Sequence, residues 1–284
     1  MNKLQYVSDI HLELRKEKDI PIIKPVDNET YLSLCGDIGN PFMPTYRKFL
    51  EIHAPLFKHI LIVSGNHEYY TSQKKQRTME RVDEKIKEIV NDFDNVTYLN
   101  MDKVIISRTK FIGCSFWTDI SNIKYLAESI MNDYKNIYIR DKNRLGHFVN
   151  IQSGYRIQRK WIKDKRRRLA GSDTVKLHRE MKEWITKQID KYDSSNEDNK
   201  YDHIIVLTHH APSFSMLNKS DLYSPCYGSD CDDLFRGPVR AWISGHTHVS
   251  VKVEINGRIA ASNCMGYPGQ KVQNYDTSAY IEFH

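Results

Sequence analysis

The chain has 284 residues, of which 40% are hydrophobic and 27% are charged, a balance that excludes wholesale disorder and fits a globular protein. No segment approaches the ~18 consecutive apolar residues of a transmembrane helix, and the N-terminus lacks the basic and apolar leader of a secreted protein. We therefore expect a cytoplasmic protein without membrane contact. The five cysteines form no C-x-x-C pair, which favours free thiols over a disulfide framework or a zinc knuckle.

The positive charge of the chain is concentrated in one segment. Residues 156–168 contain eight basic residues and one acid, a net charge of +7, while the whole chain carries +6. The remainder is therefore close to neutral, at −1. Such a run either contacts a polyanion through its phosphates or forms the solvated face of a helix or loop, and the sequence leaves both interpretations open.

Short apolar runs alternate with helical patterns along the chain. Runs of this length that are rich in Ile, Val, Leu and Tyr indicate buried strands, and the sequence predicts them at residues 4–8, 31–35, 60–64, 204–208 and 241–244. Helical patterns cover residues 45–57, 72–92 and 177–191. This alternation predicts an α/β fold, and the polar residues that directly follow each strand belong at the carboxyl end of a sheet.

Antiparallel elements indicate a second sheet packed on the first. Asn256-Gly257 between residues 249–255 and 258–262 predicts a hairpin with a two-residue turn. Residues 104–107 and 111–116 form another antiparallel pair, and residues 279–283 form a closing strand. We expect a single domain over residues 1–284, with the basic segment inside an insertion near residues 140–172.

The residues that follow the predicted strands are typical metal ligands. In chain order they are Asp9, His11, Asp37, Asn66, His67, His209, His210, His246 and His248. Side chains two apart on an extended chain point to the same side, so we expect Asp9 and His11 to approach one ion together, and His246 and His248 likewise. Nitrogen and oxygen donors suit borderline or hard divalent ions. Of the adjacent pair His209 and His210, alternation lets one ring bind a metal, and we assign His209.

In order, the motifs D-x-H, G-D, G-N-H-E, T-H-H and G-H-T-H resemble those of the calcineurin-like metallophosphoesterase superfamily. The resemblance runs from Asp9 to His248. It implies that Asp9, His11 and His248 bind one ion and that Asn66, His209 and His246 bind another, with Asp37 bridging. It implies that His67 contacts the substrate phosphate and protonates the leaving group. The implied fold is a four-layer α/β/β/α sandwich of two mixed sheets with helices outside.

Shorter stretches narrow the resemblance without giving a substrate. GNHEYY, FWTD, MNDY, THHAPS and GYPG are similar to a bacterial and viral subgroup whose members mostly lack an assigned substrate. Two positions depart from many relatives: Asn40 replaces the second acid of a G-D-x-x-D pattern, and Pro41 stands where the protein Ser/Thr phosphatase branch carries an arginine. The protein Ser/Thr phosphatase branch is therefore disfavoured, and the sequence does not identify the groups that contact His67.

Together these features predict a dinuclear metal-dependent hydrolase that cleaves a phosphate monoester or diester by metal-activated hydroxide. Two divalent ions are expected, with Mn²⁺ favoured and Fe or Zn as alternatives, and the substrate is a phosphorylated small molecule, a nucleotide or a nucleic acid. Candidate substrate contacts are His210, Tyr69, Arg166 and Arg167. Tyr69 and Tyr70 either stack on a base or pack in the core. The alternatives are a nuclease or cyclic-nucleotide phosphodiesterase, and a non-catalytic binding scaffold on the same fold.

Overall fold

The computed structural model describes residues 1–72, 74–141, 147–153, 156–162, 166–192, 201–218 and 220–284, with residues 147–153 and 156–162 described by their backbone alone. Within these ranges the helices are α1 (Pro44–His53), α2 (Met79–Val90), α3 (Lys124–Ile130), α4 (Asp133–Asn136) and α5 (Gly171–Asp190). The strands are β1 (Asn2–Val7), β2 (Thr30–Cys35), β3 (Ile60–Val63), β4 (Val96–Tyr98), β5 (Asp102–Ile106), β6 (Thr109–Cys114), β7 (Tyr138–Arg140), β8 (His147–Ser153), β9 (Arg156–Ile162), β10 (Arg166–Arg168), β11 (His203–Thr208), β12 (Val239–Ser244), β13 (Val251–Ile255), β14 (Arg258–Ser262) and β15 (Tyr280–Phe283).

Two large mixed sheets form the centre of the molecule. The first has the strand order β15-β1-β2-β3-β4, and the second has the order β13-β14-β12-β11-β6-β5. In both, the central strands run parallel and an antiparallel strand closes at least one edge, β15 in the first sheet and both β13 and β5 in the second. Parallel strands are buried on both faces, which is why their sequences are continuous apolar runs and not alternating ones.

The sheets pack face to face between layers of helices. Because successive side chains of a strand point to opposite faces, Leu61 and Val63 of β3 share one buried cluster with Ile205 and Leu207 of β11. Their neighbours Ile60 and Ile62 belong instead to the cluster that includes apolar residues of α1, α2 and α5. The four-layer sandwich implied by the resemblance is therefore confirmed. No helix in the described ranges has the length and apolar character needed to cross a membrane.

Helix boundaries differ from the sequence prediction. The helix predicted at residues 72–92 begins only at Met79, because Thr78 is extended and pairs with Tyr138. The helix predicted at residues 45–57 ends at His53 and continues as a 3-10 turn, Ala54–Leu56, since Pro55 has no N–H for the next helical hydrogen bond. The α5 helix begins at Gly171, six residues before the predicted start.

The basic segment is not a helix. Residues 156–162 form β9, which pairs with β8 in antiparallel fashion, and Arg166–Arg168 form β10, paired with β7. The sequence left a helix or a loop open for this run, and the described backbone forms strands instead. The interpretation of the run as a solvated face stays a prediction. Residues 163–165 of the run, and residues 142–146 and 154–155 of the predicted insertion, lie outside the described residues. The single-domain boundary at 1–284 stays a prediction.

Candidate metal centre

The candidate ligands follow the carboxyl ends of parallel strands in both sheets. Asp9, Asp37 and Asn66 come two or three residues after β1, β2 and β3, and His209 and His246 come directly or two residues after β11 and β12. Face-to-face packing of the sheets brings these ends together. The site is therefore assembled by the whole sandwich, and neither sheet contains it alone.

Three side chains form the first group of possible ligands. Asp9, His11 and His248 each offer one atom, and these atoms lie within 4.8 Å of one another. The Nε2 atoms of His11 and His248 are 3.2 Å apart, and His248 Nε2 is 3.4 Å from Asp9 Oδ1. Asp9 and His11 are fully buried, so a cation there would be enclosed on the protein side.

A second group lies beside the first. Asp37, His209 and His246 satisfy the same 4.8 Å criterion. His246 Nδ1 lies 3.2 Å from His209 Nε2, and the side-chain oxygen of Asn66 lies 3.0 Å from the same nitrogen. The four atoms that converge here, two nitrogens and two oxygens, match the ligand set that the resemblance implies.

The carboxylate of Asp37 lies between the two groups. Its Oδ1 is 3.4 Å from His209 Nε2, and its Oδ2 is 4.0 Å from His11 Nε2. Each oxygen therefore faces a different set of imidazoles, which is the geometry that a carboxylate shared between two cations requires. The peptide N–H of His67 donates to Oδ1 at 2.8 Å and fixes the carboxylate in this orientation.

The spacing of the imidazole nitrogens fits bound cations. Two nitrogens that each bind one tetrahedral ion at ~2.0–2.1 Å lie roughly 3.3–3.4 Å apart. The two histidine pairs, at 3.2 Å each, are close to that value. Imidazole, carboxylate and amide donors suit Mn, Fe or Zn and give no sign of a thiolate site, and all five cysteines are free and buried.

The pKa values of both acidic candidate ligands lie below their usual range, because nearby histidines outweigh the effect of burial. Burial favours the neutral form of Asp9, but the hydrogen bond with His248 and the nearby His209 outweigh it, so the pKa of Asp9 lies below its usual value. The pKa of Asp37 is likewise lowered, because His209 and His67 offset the cost of burial. Both carboxylates are therefore ionised and available to bind a cation near neutral pH.

The histidine ligands differ from one another. Burial and the neighbouring His209 lower the pKa of His246 to about 3, which keeps its ring neutral and a lone pair available. Burial also lowers the pKa of His209, but the adjacent Asp37 outweighs it and raises the pKa to about 9. A cation must therefore displace a proton from His209, so binding will weaken as the pH falls.

The backbone of the paired ligands is left-handed, not extended. The φ angles of Asp9, His11, Asp37, His246 and His248 lie between 50° and 69°. The expectation that D-x-H and H-x-H converge because alternate side chains of an extended chain point to one side is therefore wrong. Each of these residues instead adopts a left-handed backbone conformation, which costs a non-glycine residue roughly 1–2 kcal/mol. The resulting sharp turns aim the side chains inward. Strain of this kind is concentrated at functional sites.

Glu68, to which the sequence assigned no role, joins two ligand loops. Its buried carboxylate accepts hydrogen bonds from the backbone N–H groups of Gly65 and of residues 37–39, at 2.6–3.1 Å. Asp37 packs so closely on Gly65 that any Cβ at that position would overlap the aspartate. The G-N-H-E motif therefore fixes the Asp37 loop against the Asn66 loop and also supplies a ligand.

His67 stands beside the ligands with one ring nitrogen engaged. Its Nδ1 lies 2.9 Å from Glu13 Oε1, and its ring stacks on Tyr70 at 4.3 Å between centroids. Burial lowers the pKa of His67, but the Asp37 charge and the Glu13 hydrogen bond outweigh it and raise the pKa to about 9. With Nδ1–H donated to Glu13, the Nε2 atom is left to hold or deliver a proton at the open side of the site.

Glu13 is the acid that contacts His67, whose neighbours the sequence left unassigned because Asn40 stands where many relatives carry an acid. The same Oε1 atom also lies 3.1 Å from His11 Nδ1, so one carboxylate orients both imidazoles. Asn40 instead donates to the carbonyl oxygen of Tyr70 and accepts from the N–H of Phe42. Sequence reasoning missed Glu13, although its position two residues after His11, in D-x-H-x-E, was the available signal.

Three further residues around the ligands were also missed. Asp133 accepts hydrogen bonds from Asn66 Nδ2 at 2.8 Å and from the Tyr70 hydroxyl at 2.7 Å, which turns the Asn66 oxygen toward His209. The Tyr267 ring lies 4.3 Å from that of His11, with its hydroxyl 3.5 Å from His67 Nε2. Gln270 binds His248 Nδ1 at 2.7 Å. Asp133 lies in MNDY and Tyr267 in GYPG, but neither stretch indicated a role.

The candidate substrate contacts are engaged with other protein groups, His210 with the candidate ligand His246 among them. Tyr69 is buried, and its hydroxyl donates to Asp83, so the interpretation of this residue as core replaces that of base stacking. His210 is buried against Trp117 and His246, with Nδ1 3.1 Å from the Ser115 carbonyl oxygen. Arg167 pairs with Asp173 at 2.5 and 2.7 Å, and Arg166 donates to the Gln76 carbonyl oxygen at 3.0 Å.

Comparisons with known proteins agree with this geometry. Residues 6–250 match the family described as calcineurin-like phosphoesterase. The uncharacterized protein L509 of Acanthamoeba polyphaga mimivirus is 32% identical over 304 residues, which cover 99% of this chain and 97% of that protein. The structure of phosphopantetheinyl hydrolase (PptH) from Mycobacterium tuberculosis aligns with a TM-score of 0.65 at 13% identity, over 94% of this chain and 90% of that chain. At this identity the likeness concerns the fold alone.

Proposed function

The chain belongs to the calcineurin-like phosphoesterase family, and on that basis we propose that it is a dinuclear metal-dependent hydrolase of phosphate monoesters or diesters. The observation that carries the proposal is the position of Asp37, whose two oxygens face His209 and His11 in separate ligand groups. When bound, two divalent ions supply positive charge for the phosphoryl oxygens and lower the pKa of water. Mn²⁺ is the proposed metal, with Fe or Zn as alternatives.

The protein groups have separate tasks in this proposal. Asp9, His11 and His248 bind one ion, Asn66, His209 and His246 bind the other, and Asp37 is shared. His67 is the catalytic residue that contacts the phosphate and gives its Nε2 proton to the departing alkoxide. Its position supports this task, because Glu13 binds Nδ1 and the opposite nitrogen is left facing Tyr267 at the open side.

The alternatives have less support. A nuclease was suggested by the basic run alone, and two of its arginines, Arg166 and Arg167, bind protein groups in the described contacts. A non-catalytic scaffold has no use for a complete ligand set together with an oriented His67. We therefore rank a small phosphate ester above a nucleic acid as the substrate.

The test compares two leaving groups in a His67→Ala variant. A poor alkyl leaving group needs a proton, so its ester should be hydrolysed about 10²–10⁴-fold more slowly, the usual range for general acid–base assistance. A p-nitrophenyl ester should lose much less, because its leaving group departs as an anion. Turnover is measured with added Mn²⁺, and metal content is checked by elemental analysis.

Two matched variants make the result interpretable. His203→Ala removes an imidazole outside the ligand groups and should change neither rate, whereas Asp37→Asn should abolish both. Equal losses on the two esters in His67→Ala would assign His67 to phosphate binding and remove its role as an acid. Loss of metal in that variant would make His67 a ligand.

A further inference from the structure

A cavity of about 260 Å³ adjoins the ligand cluster on its His246 side. Its lining includes Thr247, the residue between His246 and His248, so the cavity and the ligands share one loop. The backbone oxygen of Cys226 lies 3.3 Å from His246 Nε2, and the ring of Tyr227 lies 5.6 Å from the His246 ring. The cavity therefore lies beside the candidate ligand His246, through Thr247 and Tyr227.

The walls of the cavity are aromatic and aliphatic. Tyr223 and Tyr227 line it together with Leu217 and Val249. Tyr223 is 43% exposed, Tyr227 39%, and their neighbour Leu222 61%. Exposed tyrosines beside a reactive centre offer flat faces on which a planar ring can stack.

Polar groups lie on the same cavity's edge. Asn218 and Asp221 line it, and both are exposed. One oxygen of Asp221 accepts the N–H of Tyr223 at 2.8 Å, which holds the segment in its turn. An amide and a carboxylate at the rim can exchange hydrogen bonds with the donor and acceptor edge of a heteroaromatic ring, which an alkyl chain lacks.

We infer that this cavity binds the planar base of a nucleoside phosphodiester, with the phosphate at the ligand cluster and the departing alkoxide on the side of His67. The inference rests on the proposed function and narrows its substrate class. It also relocates base stacking from Tyr69, which is buried, to Tyr223 and Tyr227. Tyr267, on the side of His11 and His67, would face the opposite end of the bound ester.

The kinetic test uses substrate pairs that differ only by the base. The methyl ester of adenosine 5′-monophosphate is compared with the methyl ester of ribose 5-phosphate, and the dinucleoside monophosphate ApA with bis-glycerol phosphate, each with Mn²⁺. In Tyr227→Ala we expect the KM of the nucleoside substrate to rise about 5- to 150-fold, the range for losing one stacked aromatic. The base-free substrate of each pair should keep its kcat/KM.

Two control variants separate stacking from general damage. Tyr227→Phe keeps the ring and should keep the KM of the nucleoside substrate close to that of the natural protein. Tyr125→Ala removes a tyrosine that is 86% exposed on α3 and should change nothing. The methyl ester of ribose 5-phosphate hydrolysed as efficiently as that of adenosine 5′-monophosphate, or equal losses on both members of a pair in Tyr227→Ala, would overturn the inference.

A binding measurement keeps this test independent of catalysis. Adenosine should give saturation-transfer NMR signals with the metal-free protein, and these should weaken in Tyr227→Ala and persist in Tyr227→Phe. If no phosphate ester is hydrolysed but adenosine binds in this pattern, the proposed function fails and the cavity assignment stands. If base-free esters are hydrolysed and adenosine does not bind, the cavity assignment fails alone.

Discussion

Glu13 orients two imidazoles with a single oxygen atom. Its Oε1 lies 3.1 Å from His11 Nδ1 and 2.9 Å from His67 Nδ1, while Oε2 is buried and has no hydrogen-bond partner among the described residues. A carboxylate in this position fixes which nitrogen of each ring is free. It therefore directs His11 Nε2 toward His248 and Asp37, and His67 Nε2 toward the open side.

We expect Glu13→Ala to weaken both the metal binding that involves His11 and the catalytic step that involves His67. Metal affinity and kcat at saturating Mn²⁺ should each fall about 10- to 100-fold, as is usual when a group behind a metal ligand is removed. Glu13→Gln keeps an acceptor oxygen and should lose less. Glu17→Ala, an exposed acid in the same segment, is the control. Unchanged metal affinity and kcat in Glu13→Ala would assign Glu13 to the fold alone.

Some residues of the site could be named from the sequence alone, and others could not. The ligand residues could be named because their motifs are local and ordered along the chain. Glu13, Asp133 and Tyr267 could not, because their roles depend on contacts across 54, 67 and 200 positions of sequence. The left-handed turns at the ligands were missed for another reason: an extended chain was assumed where the loops turn sharply.

At the scale of elements, α2 is anchored by a half-buried acid. Asp83 accepts hydrogen bonds from the hydroxyls of Tyr69 and Tyr98 and from the side-chain amide of Asn100. Tyr69 directly follows Glu68, so this contact joins α2 to the loop that supplies Asn66. Burial raises the pKa of Asp83 to about 6, because the two tyrosine hydrogen bonds offset only part of the desolvation.

This shift gives a prediction for stability. The folded pKa of Asp83 lies above the ordinary value of 3.8, so between about pH 4 and pH 6 the folded chain binds more protons than the unfolded chain. The free energy of unfolding contributed by this group therefore falls as the pH rises through that window. In the Asp83→Asn variant the new side chain is neutral at every pH. The Asn100 side chain can rotate so that its oxygen accepts a hydrogen bond from the amide of the new asparagine. Relative to the natural protein, we expect the variant's stability to increase from pH 4 to pH 6 and then level off.

Urea unfolding of the metal-free proteins across this range measures that difference. Asp94→Asn, at an exposed position after the same helix, is the control and should follow the natural protein at every pH. Parallel curves for Asp83→Asn and the natural protein would show that folding does not raise the pKa of Asp83.

Element types were predicted well and element ends were not. Apolar runs gave the strands at the centre of both sheets, since burial on two faces leaves a continuous pattern. The start of α2 depended on the pairing of Thr78 with Tyr138, and the strand conformation of residues 156–162 depended on pairing with β8. Such pairings join distant segments, and local propensity does not contain them.

At the scale of the whole molecule, both sheets contribute candidate ligands, four from the first sheet and three from the second. Asp9, Asp37 and Asn66 follow strands of the first sheet, and His209 and His246 follow strands of the second. Residues such as Leu61 and Leu207 form the apolar cluster between the sheets and set their distance. Bound cations would join the sheets at one end, so metal binding and sandwich packing should stabilise each other.

The central claim is that two cations share Asp37, and the most direct measurement is the number of metal ions bound per chain. Protein loaded with Mn²⁺ and freed of excess by gel filtration should contain close to two equivalents by elemental analysis. Asp37→Asn should contain markedly fewer and lack activity. A saturable content of one equivalent in the natural protein, with full hydrolytic activity, would contradict the two-ion account.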